Sequence, residues 1–178
     1  MDTAAGPRGL LLLGPSESSK SDLALRLIDA GARLVADDQC VLRAAPGPLL
    51  IARAPESLAG RIEVRGLGIL ETQRLDEVAV ALIVDLMPGG PIERIPEAAQ
   101  EVLQGVAVPR LTLDPFEASA LAKLHAAMRG PGATAPGAQP NQALGWKPAG
   151  GAANRRIVLV TGMSGAGHST ALKSLEDL

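Results

Sequence analysis

The stretch that decides the fold is Leu10-Leu11-Leu12-Leu13-Gly14-Pro15-Ser16-Glu17-Ser18-Ser19-Lys20-Ser21. A phosphate-binding loop (P-loop) has glycine, four residues, and then glycine, lysine and serine or threonine, between a strand and a helix. The chain keeps Lys20 and Ser21, but Ser19 stands where the second glycine belongs. Backbone N–H groups and the positive end of the helix surround phosphate oxygens in such a loop. The sequence therefore predicts a phosphate site with an altered loop.

Two residues of this loop are predicted to weaken phosphate binding. A glycine is used where φ is positive, and a left-handed Ser19 would cost on the order of 1–2 kcal/mol. Glu17 places a carboxylate at the mouth of an anion site, where a like-charge pair at ~6 Å costs roughly 3 kcal/mol at an effective dielectric of ~20. Turning Glu17 into solvent would reduce that cost. Because 1.4 kcal/mol is tenfold in affinity, we expect nucleotide binding to be weaker by roughly one to three decades.

The residues around the loop predict a strand–loop–helix–strand unit, the context that favours a true P-loop over a chance match. Apolar patterning predicts a buried strand over Arg8–Leu13, a helix over Ser21–Ala30 and a strand over Arg33–Ala36 that ends at Asp37 and Asp38. The other predicted elements are a strand pair over 39–51, a turn or short helix over 54–58, a central strand over Val78–Leu86, a strand over Val106–Leu113 and a helix over Phe116–Met128.

Composition and charge limit the class of protein. The chain has 178 residues, enough for one domain and a tail, and its core must be aliphatic because Tyr is absent and Phe and Trp occur once each. A net charge of −2 disfavours a broad nucleic-acid or anionic-membrane surface. Cys40 is the single cysteine, which excludes an intrachain disulfide. With neither a membrane span nor a signal peptide predicted, we expect a cytoplasmic protein.

The C-terminal part of the chain changes in character. Residues 130–153 are rich in Gly, Pro and Ala without apolar periodicity, which predicts a flexible linker. Residues 154–178 begin a second strand–loop–helix around Gly162-Met163-Ser164-Gly165-Ala166-Gly167-His168-Ser169, in which His168 replaces the lysine. One strand and one helix cannot bury a core alone. We expect a P-loop domain over residues 1–129, the linker, and a truncated fragment over 154–178.

Two segments carry a resemblance to a known family. Residues 20–38, Lys-Ser-Asp-Leu-Ala-Leu-Arg-Leu-Ile-Asp-Ala-Gly-Ala-Arg-Leu-Val-Ala-Asp-Asp, resemble the HPr kinase/phosphorylase catalytic (C-terminal) domain, and Ile62-Glu63-Val64-Arg65-Gly66-Leu67-Gly68-Ile69-Leu70 looks like the signature segment of that family. The resemblance covers about residues 8–129 and matches the short form. It implies an α/β fold of the HPr kinase/phosphoenolpyruvate carboxykinase-like type, with a mixed sheet flanked by helices. Residues 155–178 resemble the start of RNase adapter-type P-loop nucleotide-binding proteins.

The resemblance implies an activity. Members use ATP and Mg²⁺ to phosphorylate a serine of HPr, the small carrier of the phosphotransferase system, and many also run the reverse phosphorolysis. It implies that Lys20 contacts the nucleotide phosphates and that Ser21 and Glu63 help to bind Mg²⁺. Asp38 would be the base for the serine proton, with Asp37 beside it. Such adjacent carboxylates raise one another's pKa, which suits a group that takes and returns a proton.

Arg94 would stabilise the transferring phosphoryl group, which phosphoryl transfer requires. The family has glycines at the positions of Glu17 and Ser19. It also has a catalytic histidine on a strand before the position of Arg8, whereas Met1–Pro7 contains no histidine. The phosphorolysis loop of the family has no clear match in 109–118. A non-catalytic nucleotide- or carrier-binding descendant is the alternative. The resemblance also implies a homo-oligomer, and an RNA-linked role of the tail is disfavoured because the chain is not basic.

Overall fold

The computed structural model describes residues 7–15, 19–37, 39–56 and 60–129, and the strand backbone of 157–164. In these parts the chain forms ten strands and two helices. In chain order they are β1 (Arg8–Gly14), α1 (Lys20–Asp29), β2 (Arg33–Ala36), β3 (Val41–Ala45), β4 (Leu49–Arg53), β5 (Arg61–Val64), β6 (Gly68–Glu71), β7 (Glu77–Leu86), β8 (Ala99–Leu103), β9 (Val106–Leu113), α2 (Ala120–Arg129) and β10 (Ile157–Ser164).

Eight of these strands form one mixed sheet, in the order β2-β10-β1-β7-β4-β3, with β9 on β7 and β8 on β9. Strands β1, β7, β9, β10 and β2 are parallel where they pair. One edge of β7 is shared, because antiparallel β4 pairs with its first residues and parallel β9 with its last. Strands β5 and β6 form a separate hairpin. The α/β fold class and the mixed sheet are confirmed.

The apolar run of β1 is buried on both faces of the sheet. Leu10 and Leu12 belong to a core with Leu23 of α1 and Leu124 of α2, while Leu11 faces a second core with Ile83. All six side chains are buried. A strand covered on both faces needs a continuous apolar sequence, which explains why no polar residue interrupts Leu10–Leu13.

The boundaries of most predicted elements are confirmed within two residues, but the last helix begins four residues later than expected. The backbone N–H of Phe116 donates to Asp114 Oδ1 at 2.9 Å. This local turn bond competes with helical pairing, so α2 starts only at Ala120. Strand β8 was not predicted, because its sequence Ala-Gln-Glu-Val-Leu is short and does not alternate between apolar and polar residues. It pairs with β9 across the turn Gln104-Gly105, whose residues both have positive φ, as two-residue hairpin turns require.

Strand β10 lies inside the sheet of the N-terminal part, although the sequence assigned residues 157–164 to a separate fragment. It pairs in parallel with β1 on one side and with β2 on the other. The linker 130–153 and the second loop and helix lie outside the described residues. The division of the chain into domain, linker and fragment therefore stays a prediction. In the described ranges, no helix has the length and hydropathy needed to cross a membrane.

The thiol of Cys40 gives a pH-dependent test of the packing beside β3. The side chain packs against the core that contains Val35, and burial raises its pKa from 9.0 to about 11. Since the unfolded thiol ionises first, the free energy of unfolding falls as pH rises from about 9 to about 11. We expect the Cys40 contribution to stability to be about 1.4 kcal/mol smaller at pH 10 than at pH 8. Urea unfolding of wild type and Cys40→Ala at both pH values measures it, and an equal pH dependence of the two proteins would contradict the burial.

Candidate active site

The P-loop lysine lies against the loop backbone. Strand β1 ends at Gly14 and helix α1 begins at Lys20. Lys20 Nζ donates to the carbonyl oxygens of Gly14 and Pro15, both at 2.9 Å. Residues 16–18, including Glu17, lie outside the described residues. The structure thus places the lysine at the loop, next to Ser21 in the first turn of α1, as the motif requires.

Ser19 adopts the conformation for which the motif uses glycine. Its φ is 61° and its ψ is 28°, in the left-handed region that was considered for this position from the sequence. Ser19 is also the N-cap of α1, but its hydroxyl makes no capping hydrogen bond. A serine cap normally needs an extended backbone to reach the helix N–H groups. The residue therefore carries the conformational cost of a side chain without the gain of a cap.

Replacing Ser19 by glycine is expected to stabilise the protein by about 1 kcal/mol, because it removes the left-handed penalty of a Cβ atom. For a chain of this size, this corresponds to a Tm increase of roughly 2–4 °C. Calorimetry or thermal circular dichroism measures the change. Ser19→Ala is the matched control: it removes the same hydroxyl but keeps Cβ, and its Tm should stay near that of wild type. Equal effects of the two substitutions would contradict the explanation.

Asp37 joins the P-loop unit to the signature segment. It directly follows β2, and its Oδ2 accepts a hydrogen bond from the backbone N–H of Glu63 at 3.0 Å. Asp38, the predicted base, lies outside the described residues. The structure thus brings together two predicted site residues, Asp37 and Glu63, which are 26 positions apart in the chain.

The signature segment forms the β5–β6 hairpin, and its glycines are explained by the backbone. Gly66 and Gly68 have φ of 83° and 92°, which glycine adopts without strain. Ile62 and Val64 are buried in the core that includes α1, whereas Glu63 between them is exposed. Because successive side chains of a strand point to opposite faces, Ile62 and Val64 anchor the hairpin in the core and Glu63 lies at the surface.

The loop and the acidic residues lie at the same edge of the sheet. Gly14 ends β1 and Asp37 follows β2, and both strands are parallel to β10, which lies between them. Two strand spacings amount to about 10 Å, so the loop and Asp37 flank the end of β10. The carboxyl edge of parallel strands is where open α/β sheets bind ligands. Arg94 is exposed in the segment between β7 and β8, and its catalytic role stays a prediction.

A charged cluster beside the loop strand was missed by sequence reasoning. Asp85 of β7 pairs in register with Leu13. Arg110 of β9 contacts the Asp85 carboxylate through Nε and bonds Glu101 through Nη1 at 2.6 Å. The hydrogen bond that Arg110 donates to Asp85 raises the pKa of the guanidinium. The Asp85 carboxylate within the otherwise apolar run Val78–Leu86 was the signal that could have indicated a polar partner.

The residues present suit Mg²⁺ with few protein ligands. The hydroxyl of Ser21 and the carboxylates of Asp37 and Glu63 supply hard oxygen donors, which this ion prefers. Across the described ranges, three or more His, Cys, Asp or Glu side chains do not gather into a metal-binding group. Mg²⁺ commonly keeps several waters and is held by one or two carboxylates together with substrate phosphates. Ser21, Asp37 and Glu63 would therefore suit an ion that takes few of its ligands from the protein.

The strand, the lysine at the following loop and the helix, with acidic groups at the same sheet edge, belong to an α/β domain built on a mixed sheet. The chain matches the family described as HPr Serine kinase C-terminal domain over residues 6–125, and it belongs to this family. It is 38% identical over 117 residues to the HPr kinase/phosphorylase of Azoarcus sp. (strain BH72), a match that covers 59% of this chain. It is 37% identical over 119 residues to that of Leptospira biflexa serovar Patoc.

The fold agrees with a solved relative. The Hpr(Ser) kinase/phosphatase from Coxiella burnetii superposes with a TM-score of 0.57 at 26% identity, covering 65% of this chain and 77% of that one. The chain spans about 37% of the length of the two curated relatives above. Residues 157–164, which form β10, lie outside the range that matches the family.

Proposed function

We propose that this protein is an ATP-dependent protein-serine kinase that acts on an HPr-like phosphocarrier of the phosphotransferase system. The observation that carries the proposal is the hydrogen bond from the Glu63 N–H to Asp37. It docks the signature hairpin onto the acidic end of the P-loop unit, which supports a shared site for the residues assigned to phosphate and metal. Membership of the family supports the reaction class.

The first part of the proposed mechanism is the binding of nucleotide. Backbone N–H groups at the start of α1 and the Lys20 ammonium would hold the phosphates of ATP. Ser21 and Glu63 would hold Mg²⁺, which neutralises charge on the β- and γ-phosphates when it is bound. Lys20 already lies within hydrogen-bond distance of two loop carbonyls, so a bound phosphate would draw it a short way from them.

The second part is the transfer itself. Asp38 would accept the proton of the substrate serine as its oxygen attacks the γ-phosphorus, and Arg94 would stabilise the charge on the transferring group. Asp37, held by the Glu63 N–H, would fix the orientation of the adjoining backbone and thereby of Asp38. In the reverse direction, inorganic phosphate would take the phosphoryl group and Asp38 would return a proton to serine.

A second candidate is a non-catalytic protein that binds nucleotide or the carrier. The left-handed Ser19 favours it, because the strain falls at a position where the backbone must approach phosphate closely. Glu17 adds negative charge to the same loop. We therefore propose that ATP binding is weakened in this chain. Assembly into a homo-oligomer and a cytoplasmic location are parts of the same proposal.

A phosphotransfer assay separates the two candidates. The purified chain is incubated with Mg²⁺, ATP labelled at the γ-phosphate and an HPr-like carrier, and phosphoserine on the carrier is quantified. We expect slow labelling that Asp38→Asn abolishes. Because Asn is nearly isosteric, loss of labelling with retained ATP binding identifies Asp38 as the base. ATP binding with no labelling in wild type would instead support the non-catalytic protein. If labelling appears only after Glu17→Gly and Ser19→Gly are introduced, the loop alone is limiting.

A further inference from the structure

Strand β10 occupies an internal position in the sheet. In its register with β1, Arg8 pairs with Ile157 and Gly14 with Ser164, so the pairing runs from the start of β1 to the first residue of the P-loop. On its other side β10 pairs with β2 from Arg33 to Ala36. An internal strand satisfies backbone groups on both of its neighbours. Residues outside the family match thus complete the strand pairing of the loop strand.

The space that β10 fills is closed on its outer sides. Strand β1 pairs with β7 along its far edge. The far edge of β2 is covered by 73–75, because the Leu34 N–H donates to the Gln73 carbonyl at 3.3 Å and the Leu75 N–H donates to the Leu34 carbonyl at 2.9 Å. Without β10, β1 and β2 would lie about 10 Å apart, and the backbone N–H and C=O groups through which these two strands pair with β10 would lose their partners.

The chain leaves the described domain beside the point where β10 begins. Arg8 Nη1 donates to the carbonyl of Met128 at 2.7 Å, so the end of α2 lies at the start of β1. Ile157 is the strand partner of the same Arg8. Residues 130–156 connect the end of α2 to the start of β10, and both ends lie beside Arg8. Because an extended chain spans ~3.3–3.6 Å per residue, a small part of this connection is long enough to join them. This proximity gives the segment of the same chain a high effective concentration at the gap.

We propose that residues 157–164 are a strand donated in cis to the gap between β1 and β2, and that this strand holds β1 and its P-loop in place. The surface it fits is the pair of facing edges of β1 and β2, and its occupant is the apolar segment Ile157-Val158-Leu159-Val160-Thr161 and its continuation to Ser164. Any ligand site at this loop then depends on a segment that the family match does not include. The proposal concerns folding and does not rest on kinase activity.

Hydrogen exchange on the full chain tests the donated strand. Val160 pairs with both Leu11 and Ala36, and Val160→Pro removes a backbone donor from an internal position. We expect exchange at Leu10–Leu12 and at Val35–Ala36 to be at least ~10-fold faster in this variant, whereas the Leu34 N–H keeps its bond to Gln73. The matched control is Ala138→Pro in the connection, which should leave these amides unchanged. Unchanged protection of both segments in a folded Val160→Pro protein would overturn the proposal.

A cleavage experiment decides the case even if Val160→Pro fails to fold. A protease site is inserted at 141–147 of the full chain, the folded protein is cut, and size-exclusion chromatography shows where the C-terminal fragment elutes. Co-elution with the N-terminal part is expected. Separation under native conditions, with the Tm of the remainder unchanged, would overturn the proposal. Exchange between copies is tested by refolding chains with a tagged N-terminus together with chains that have an untagged N-terminus, and then cutting them. If the tagged N-terminal part carries C-terminal fragments that come from untagged chains, the strand is exchanged between copies and is not donated in cis.

Discussion

Lys20→Ala lowers the affinity for ATP with Mg²⁺ by at least about 100-fold, if the P-loop works as proposed. Hydrogen bonds to charged groups contribute roughly 1.5–3 kcal/mol each, and 1.4 kcal/mol is tenfold in affinity, so two lost phosphate contacts reach that figure. The structure supports the choice of residue, because Lys20 Nζ lies 2.9 Å from both Gly14 and Pro15 carbonyls at the loop. Isothermal titration calorimetry of both proteins measures the change.

The matched control for this prediction is Lys123→Ala. It removes the same side chain from α2, where Lys123 makes an exposed ion pair with Glu117 that contributes little to stability. Its ATP affinity should equal that of wild type. Equal affinities of wild type and Lys20→Ala would show that binding occurs elsewhere. Absence of binding to the wild type up to millimolar ATP would reject the kinase proposal for this chain and leave a P-loop scaffold.

Gly9→Val is expected to destabilise the protein by about 3 kcal/mol or more, because the added side chain would clash inside the sheet. A Cβ atom at Gly9 would lie 2.8 Å from Val78 Cγ1 and 3.0 Å from the Ala79 carbonyl oxygen. The backbone carbonyl belongs to the central strand β7 and cannot move without disturbing its ladder. Valine would gain roughly 0.5–1 kcal/mol from replacing glycine inside a strand, which the clash exceeds.

Urea unfolding followed by circular dichroism measures this prediction, with a Tm decrease of roughly 6–12 °C as the thermal equivalent. Ala44→Val is the control, because it also introduces valine into a strand, but at an exposed position of β3. Its effect should stay within about 0.5 kcal/mol. Similar stabilities of the two variants would mean that β1 and β7 can separate locally to accept the side chain.

Sequence patterns predicted the secondary structure correctly for elements whose conformation depends on their own residues. The apolar run before Gly14 predicted β1, and Arg33–Ala36 was predicted with its observed bounds. The lysine and serine of the loop, and the replacement of its second glycine by Ser19, are also identified from the local sequence. Ser19 has the left-handed backbone conformation that glycine adopts without strain. These features are local because hydrophobic periodicity and turn chemistry act over a few neighbouring residues.

Contacts between distant segments were beyond the reach of such patterns. No spacing in the sequence indicates that the Glu63 N–H donates to Asp37, or that Asp85 and Glu101 share Arg110. Each contact depends on which strands become neighbours and on their register. A shift of one residue would turn Glu63 inward and Ile62 outward.

The sequence by itself determined the α/β class of the domain, and a strand, a lysine loop and a helix in succession predict a phosphate site. Only the tertiary structure decided that β10 lies between β1 and β2, and that the loop and Asp37 flank its end. The physical reason is that an apolar strand can satisfy its backbone hydrogen bonds with any free strand edge. Which edge it takes depends on the whole arrangement of the chain.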